Sequence, residues 1–207
     1  NKKSVLKTSR LSSGSFIVVA NVPLWAVWVL KHKTIKIQQM TIESTYDNII
    51  AIDPDVAKSG VAHLQTSTRK LEVTNLDFGT LLDYLQHAKS EHIKADDKLV
   101  VVVEAGWLIR SNWHLRRGDN ARIASAKGNS AGRNHETGRK IVEMCKHYGL
   151  DVVEHLPLRK CWRGKDSKIT QDELEALTGF SGRTNQDARD AALLAWYYSG
   201  IGQNKNK

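Results

Sequence analysis

The stretch IAIDPDVAKSGVA, residues 50–62, decides how the chain is read. It continues an apolar run that begins at Asn48 (NIIAID, 48–53) and ends on an acid, the pattern of a strand buried in a sheet and surfacing at its edge. Pro54 and Asp55 break the run, and KSGVAHLQT (58–66) resumes as a second strand. A polar turn at 67–69 leads to a third, KLEVTN (70–75). Residues 81–88 have helical spacing. KLVVVVE (98–104) is an almost unbroken β-branched run, the signature of a strand covered on both faces.

Beyond it, a polar basic loop (106–120) precedes residues 121–148, which predict one long helix weakened by Gly128, Gly132 and Gly138. Residues 150–155 read as a fifth strand. Residues 169–177 read as a short helix, N-capped by Thr170 with Glu173 completing a capping box, and residues 186–198 as a final amphipathic helix. The order β-β-β-α-β-α-β-α-α predicts an α/β fold in which a mixed five-stranded sheet is flanked by helices.

Two acids close strands, Asp53 and Glu104. If those strands are parallel neighbours, both emerge at one sheet edge, where open α/β sheets bind ligands. Asp187 and Asp190 stand at i and i+3 in the first turn of the last helix and project from one face. Singly, each acid reads as a cap or a solvated helix start. Together, four converging carboxylates must share protons or bind cations, and oxygen-only ligation suits Mg²⁺ or Mn²⁺ better than zinc.

At these residues the sequence resembles the RuvC-type Holliday junction resolvases of the ribonuclease H-like superfamily, in a divergent or phage-type form. IAIDPDVAKSGVA resembles their first-strand motif and VVVVEAGW (100–107) their second. KCWRGKDSKI (160–169) is similar to their lysine-bearing segment, and NQDARDAALLAWYY (185–198) to their terminal D-x-x-D helix. Asp55 departs from the pattern by adding a fifth acid, read as a turn residue or an auxiliary ligand. The Ala-Gly-Trp after Glu104 departs as well.

The resemblance implies an endonuclease that resolves four-way or other branched DNA by a two-metal mechanism, with two Mg²⁺ or Mn²⁺ ions roughly 4 Å apart. It implies that Asp53 bridges the ions, that Glu104, Asp187 and Asp190 complete their shells, and that Lys165 or Lys168 stabilises phosphate charge. The products would carry a 5′-phosphate and a 3′-hydroxyl. It also implies a homodimer, for which residues 121–148 are the candidate interface, and a cytoplasmic location.

Nucleic-acid contacts are expected from Trp107, Arg110, Trp113, His114, Arg116, Arg117 and Arg122, where aromatics interleave with arginines beside the acids. Arg133, Lys140 and Arg163 would extend the positive surface. The plainer reading puts the tryptophans in the core and leaves the arginines solvated. His135, His147 and His155 read as structural or exposed, since neither spacing nor neighbours suggest zinc. Three other functions stay open: a ribonuclease H-like nuclease of RNA or RNA–DNA hybrids, a phosphate-binding ATPase, and a non-catalytic nucleic-acid-binding module. Asp55-Val56-Ala57 is a poor phosphate cradle for the ATPase, and 168 residues are few for its two lobes.

Overall charge adds little. The net charge is +9, but residues 1–39 hold 7 basic residues and no acid, leaving 24 basic against 22 acidic residues in 40–207. Residues 1–39 are set apart as an N-terminal extension, with 40–207 as the nuclease domain. Within them FIVVANVPLWAVWVL (16–30) is short for a membrane span and is broken by Asn21 and Pro23. Three readings stand: an extension upstream of a start at Met40, an anchor or targeting segment, or an extra element packed on the domain. Cys145 and Cys161 make no disulfide framework and read as reduced thiols.

Overall fold

The computed structural model describes residues 46–109 and 118–201. The expectations for residues 1–39 and for Arg110, Trp113, His114, Arg116 and Arg117 lie outside the described residues. Among those described, the elements are β1 (Asn48–Asp53), β2 (Ser59–Gln65), β3 (Lys70–Leu76), α1 (Phe78–Ala95), β4 (Leu99–Glu104), α2 (Ala121–His147), β5 (Asp151–His155), α3 (Gln171–Thr178) and α4 (Gln186–Tyr198). They form the mixed five-stranded α/β sheet that the sequence predicts. The strand order is β3-β2-β1-β4-β5. β1, β2 and β3 pair antiparallel, whereas β1, β4 and β5 pair parallel.

β1 and β4 lie in the middle because their side chains are apolar on both faces. Ile49, Ala51, Val100 and Val102 meet Leu174 of α3 and Ala191, Ala192, Leu194, Ala195 and Trp196 of α4. On the opposite face Ile50, Ile52, Val101 and Val103 meet Leu81 and Leu85 of α1 and Ile141, Val142 and Cys145 of α2. Burying a side chain of the Val or Ile kind contributes roughly 1.5–3 kcal/mol. The two strand ends carrying Asp53 and Glu104 are therefore fixed by a fully buried double layer.

α1 is longer than the predicted 81–88. The Asp77 side chain accepts a hydrogen bond from Thr80 N–H at 3.0 Å and starts the helix early. The apolar stripe Leu81, Leu85, Ala88 ends at 88, but the exposed turns beyond it hold good helix formers and run on until Asp96 adopts φ 58°. α2 continues through its three glycines. Only Gly138 has a packing reason, since a Cβ there would overlap the Trp107 ring; around Gly128 and Gly132 such a Cβ meets nothing within 4 Å. Gly106–Leu108, within the expected loop, and Lys165–Ser167 each form a single 3-10 turn. Among the described residues no helix is long and apolar enough to cross a membrane.

Candidate active site

The parallel pairing of β1 with β4 sets Ile52 opposite Val103, so Asp53 and Glu104 are the next residues outward on adjacent strands. The sequence expected this edge, and the pairing supplies it. Both acids line a cavity of about 360 Å³, together with Asp55, Asp187, Asp190, Lys168 and Trp107. All four candidate carboxylates thus reach one space from three elements.

α4 reaches that space because residue 60 is glycine. A Cβ at Gly60 would collide with the Asp187 carbonyl and lie 2.7 Å from Ala188 N. The first turn of α4 therefore rests directly on β2, beside Asp53, whose pairing partner is Gly60. Asn185 caps that turn by accepting from Ala188 N–H at 2.9 Å. Arg189 ties it to the preceding segment, donating to the Thr184 carbonyl at 2.8 Å and to the Ile169 carbonyl at 3.1 Å.

Asp190 is held on both oxygens. Gln186 Nε2 donates to Oδ1 at 2.7 Å, and Lys168 Nζ donates to Oδ2 at 2.5 Å. Lys168 enters from a tight turn in which Gly164 N–H bonds the Lys168 carbonyl at 3.0 Å. Asp166 and Ser167 there adopt φ 55° and 58°, conformations that non-glycine residues rarely take. Of the two expected lysines, Lys168 lines the cavity, whereas Lys165 is exposed and is absent from its lining.

The electrostatics follow from packing acids together. Burial, then Glu104, Asp190 and Asp187, push the Asp53 carboxyl well above the usual carboxylate range, against an opposing pull from Lys168. Burial and Asp190 lift Glu104 to about 7, partly offset by Lys168 and Lys160. Burial raises Asp187 too; Asp55 and Asp190 add to this, while Lys168 and Arg189 oppose it. Burial alone would lower the Lys168 ammonium, but its hydrogen bond to Asp190 and the surrounding carboxylates outweigh it and leave it raised.

Such a set of oxygen donors fits a hard divalent cation, because added positive charge would relieve the repulsion that raises Asp53. Among the described residues no three His, Cys, Asp or Glu side chains close on one point tightly enough to hold an ion. The acids share a cavity wall without enclosing a common centre. The fit therefore rests on donor chemistry and charge.

Asp55 is engaged on both oxygens. Oδ1 accepts from Ala57 N–H at 2.8 Å, and Oδ2 accepts from Asn134 Nδ2 at 3.2 Å. That is the turn role weighed for it. Trp107 lines the cavity but is tethered, its Nε1 donating to Glu154 Oε2 at 2.9 Å. Arg122 and Arg133 are exposed on α2, outside the cavity lining, and Lys140 pairs with Glu143 at 2.7 Å. Arg163 pairs with Glu173 at 3.1 Å.

His147 is exposed, and the ring of His155 packs against Tyr197. His135, expected to be structural or exposed, lines the cavity. Sequence reasoning missed Asn134, Arg159, Lys160 and Trp162, which also line it. For Arg159 and Lys160 the signal was a basic pair just after β5, at the same sheet edge as the acids.

No protein-family model and no curated protein sequence matches the chain. Similar solved structures include Thermus thermophilus RuvC in complex with a Holliday junction substrate, at 14% identity and TM-score 0.40, covering 75% of this chain and 96% of that one. The Thermus thermophilus RuvC structure matches at 13% and 0.41, with the same coverage. A fowlpox virus resolvase in complex with substrate Holliday junction DNA matches at 11% and 0.35, covering 74% and 97%. The fold assignment rests on the chain's own sheet. Three antiparallel strands followed by two parallel ones, in the order β3-β2-β1-β4-β5 with helices on both faces, form a ribonuclease H-like α/β fold.

Proposed function

We propose that this chain is a metal-dependent endonuclease that hydrolyses DNA phosphodiesters, with four-way or other branched junctions as its substrate. One observation carries the proposal: Asp53, Glu104, Asp187 and Asp190, drawn from two strands and a helix, line one cavity with the Lys168 ammonium among them. Those four acids would hold two Mg²⁺ or Mn²⁺ ions, which supply a Lewis acid for the phosphate and activate water for attack. Lys168 would stabilise negative charge as it develops on the phosphate oxygens. Arg159 and Lys160, on the rim, would bind the flanking backbone.

The choice of branched DNA is supported by the ordered set of motifs around these residues. RNA or RNA–DNA hybrid cleavage is the second reading, since the same four acids would serve it. Paired cuts across a two-fold substrate call for a symmetric dimer. Gly138, Ile141, Val142 and Cys145 are buried in the chain's own core, so the candidate interface narrows to the first half of α2.

The test compares cleavage of a four-way junction, duplex DNA and an RNA–DNA hybrid, each with Mg²⁺ or Mn²⁺. Preferential, metal-dependent cutting of the junction is expected. Preference for the hybrid would favour the second reading, and binding without cutting would overturn both.

A further inference from the structure

One turn of α2 grips the exits of both acid-bearing strands. Asn134 accepts from Val56 N–H at 3.3 Å through Oδ1 and donates to Asp55 Oδ2 at 3.2 Å through Nδ2. Both partners belong to the turn that follows Asp53. The neighbouring residue, His135, reaches the other exit: a Cβ on Gly106 would lie 2.9 Å from its Nε2, and its ring stands edge-on to Trp107 at 6.3 Å. Gly106 and Trp107 follow Glu104 by two and three residues. One turn further along, Gly138 leaves room for both Trp107 and Pro54: a Cβ there would overlap the Trp107 ring and lie 3.1 Å from Pro54 Cγ.

β1 and β4 pair with each other only up to Ile52 and Val103; the acids that follow pair outward instead, Asp53 with Gly60 of β2 and Glu104 with His155 of β5. Beyond that point the two exits are joined through α2. Asp55 is the relay on the β1 side: Oδ1 shapes the turn through Ala57 N–H, leaving Oδ2 for Asn134. The amide of Asn134 is matched to this pair, accepting from one atom and donating to the other.

We infer that Asn134 is a positioning residue, which acts through Asp55 to fix the β1 exit against the β4 exit and so sets the spacing of Asp53 and Glu104 for divalent cations. The inference rests on the metal-dependent reading of the cavity, and it gives Asp55 a role without making it a ligand. Outer partners of metal ligands change metal affinity or activity by about 10–100-fold when removed.

The test uses the full chain and its Asn134→Ala, Asp55→Ala and double variants. Mn²⁺ binding is followed by electron paramagnetic resonance without nucleic acid, alongside kcat and KM for a four-way junction. Asn134→Ala should keep a cooperative thermal transition, weaken Mn²⁺ half-saturation about 10-fold and lower kcat about 10–100-fold, with KM within about twofold. Because Asn134 acts through Asp55, the double variant should bind Mn²⁺ no more weakly than Asp55→Ala alone. Parental Mn²⁺ binding by Asn134→Ala, additive losses in the double variant, or loss of the folded transition would each overturn the inference. If the parent binds Mn²⁺ better than Asn134→Ala yet cuts nothing, the nuclease reading fails and the positioning role stands. If the parent cuts and Asn134→Ala matches it, the positioning role fails alone. A parent that binds no Mn²⁺ would overturn both.

Discussion

The carbonyl of Asp187 occupies the space that a Cβ on residue 60 would need. Gly60 therefore fixes how closely the first turn of α4 approaches the strand paired with Asp53. Gly60→Ala is expected to push α4 outward and move Asp187 and Asp190 together. A misplacement of that order lowers kcat by about 100-fold, and overpacking costs roughly 1–3 kcal/mol of stability. Cleavage rates and thermal melts of the variant check this. A parental kcat would show that the contact does not set the site.

Glu104 links the site to pH. Its carboxyl is held up to about 7 by burial and Asp190, against an ordinary value of 4.5. The folded state thus binds this proton more tightly than the unfolded chain, so stability falls as pH rises from about 4.5 to about 7 and levels off above. Asp53, raised by burial and its acidic neighbours, adds to the slope in the same direction. The metal-free melting temperature should drop across this window. Glu104→Gln should flatten the fall, and Mg²⁺ should offset it by binding the ionised folded form. Because His63, held below its usual value by burial, works in the opposite sense in both proteins, the comparison with Glu104→Gln decides, and an equal pH dependence in the two would contradict the assignment.

Lys168 and Lys165 stand three residues apart and should separate cleanly. Lys168 donates to Asp190 at 2.5 Å inside the cavity, whereas Lys165 is exposed outside it. Lys168→Met is expected to lower kcat by roughly 100- to 1,000-fold, while Lys165→Ala should stay within about twofold of the parent, as surface substitutions do. Single-turnover cleavage measures both. Equal losses would assign the phosphate-facing charge wrongly.

Much of this site was legible in local pattern. An apolar run closing on an acid marked Asp53 and Glu104, and the i,i+3 pair marked Asp187 and Asp190, because strand ends and helix faces are set by nearby residues. Asn134 was not legible, since its contact with Asp55 spans 79 positions and depends on where α2 crosses the sheet edge. Gly60 gave half a signal. A glycine inside a strand suggests a close backbone approach, but its partner, Asp187, appears only in the folded chain. The choice between Lys165 and Lys168 depended on a turn with positive φ at two non-glycine residues, which composition does not announce.

Arg159 is exposed on the cavity rim and reads as a backbone contact. Arg159→Ala should weaken junction and duplex binding alike and reduce the slope of log affinity against log salt by about one. Fluorescence anisotropy across a salt series measures it. A loss confined to one sequence or one substrate shape would instead assign Arg159 to specificity.

The most direct test of the account is Asp53→Asn, assayed beside the parent on a four-way junction with Mg²⁺. The substitution keeps the size of the side chain while removing the most deeply shared charge in the cavity. Junction binding should persist and cleavage should fall below detection, with the metal-free variant at least as stable as the parent. Undiminished cleavage by Asp53→Asn would contradict the account.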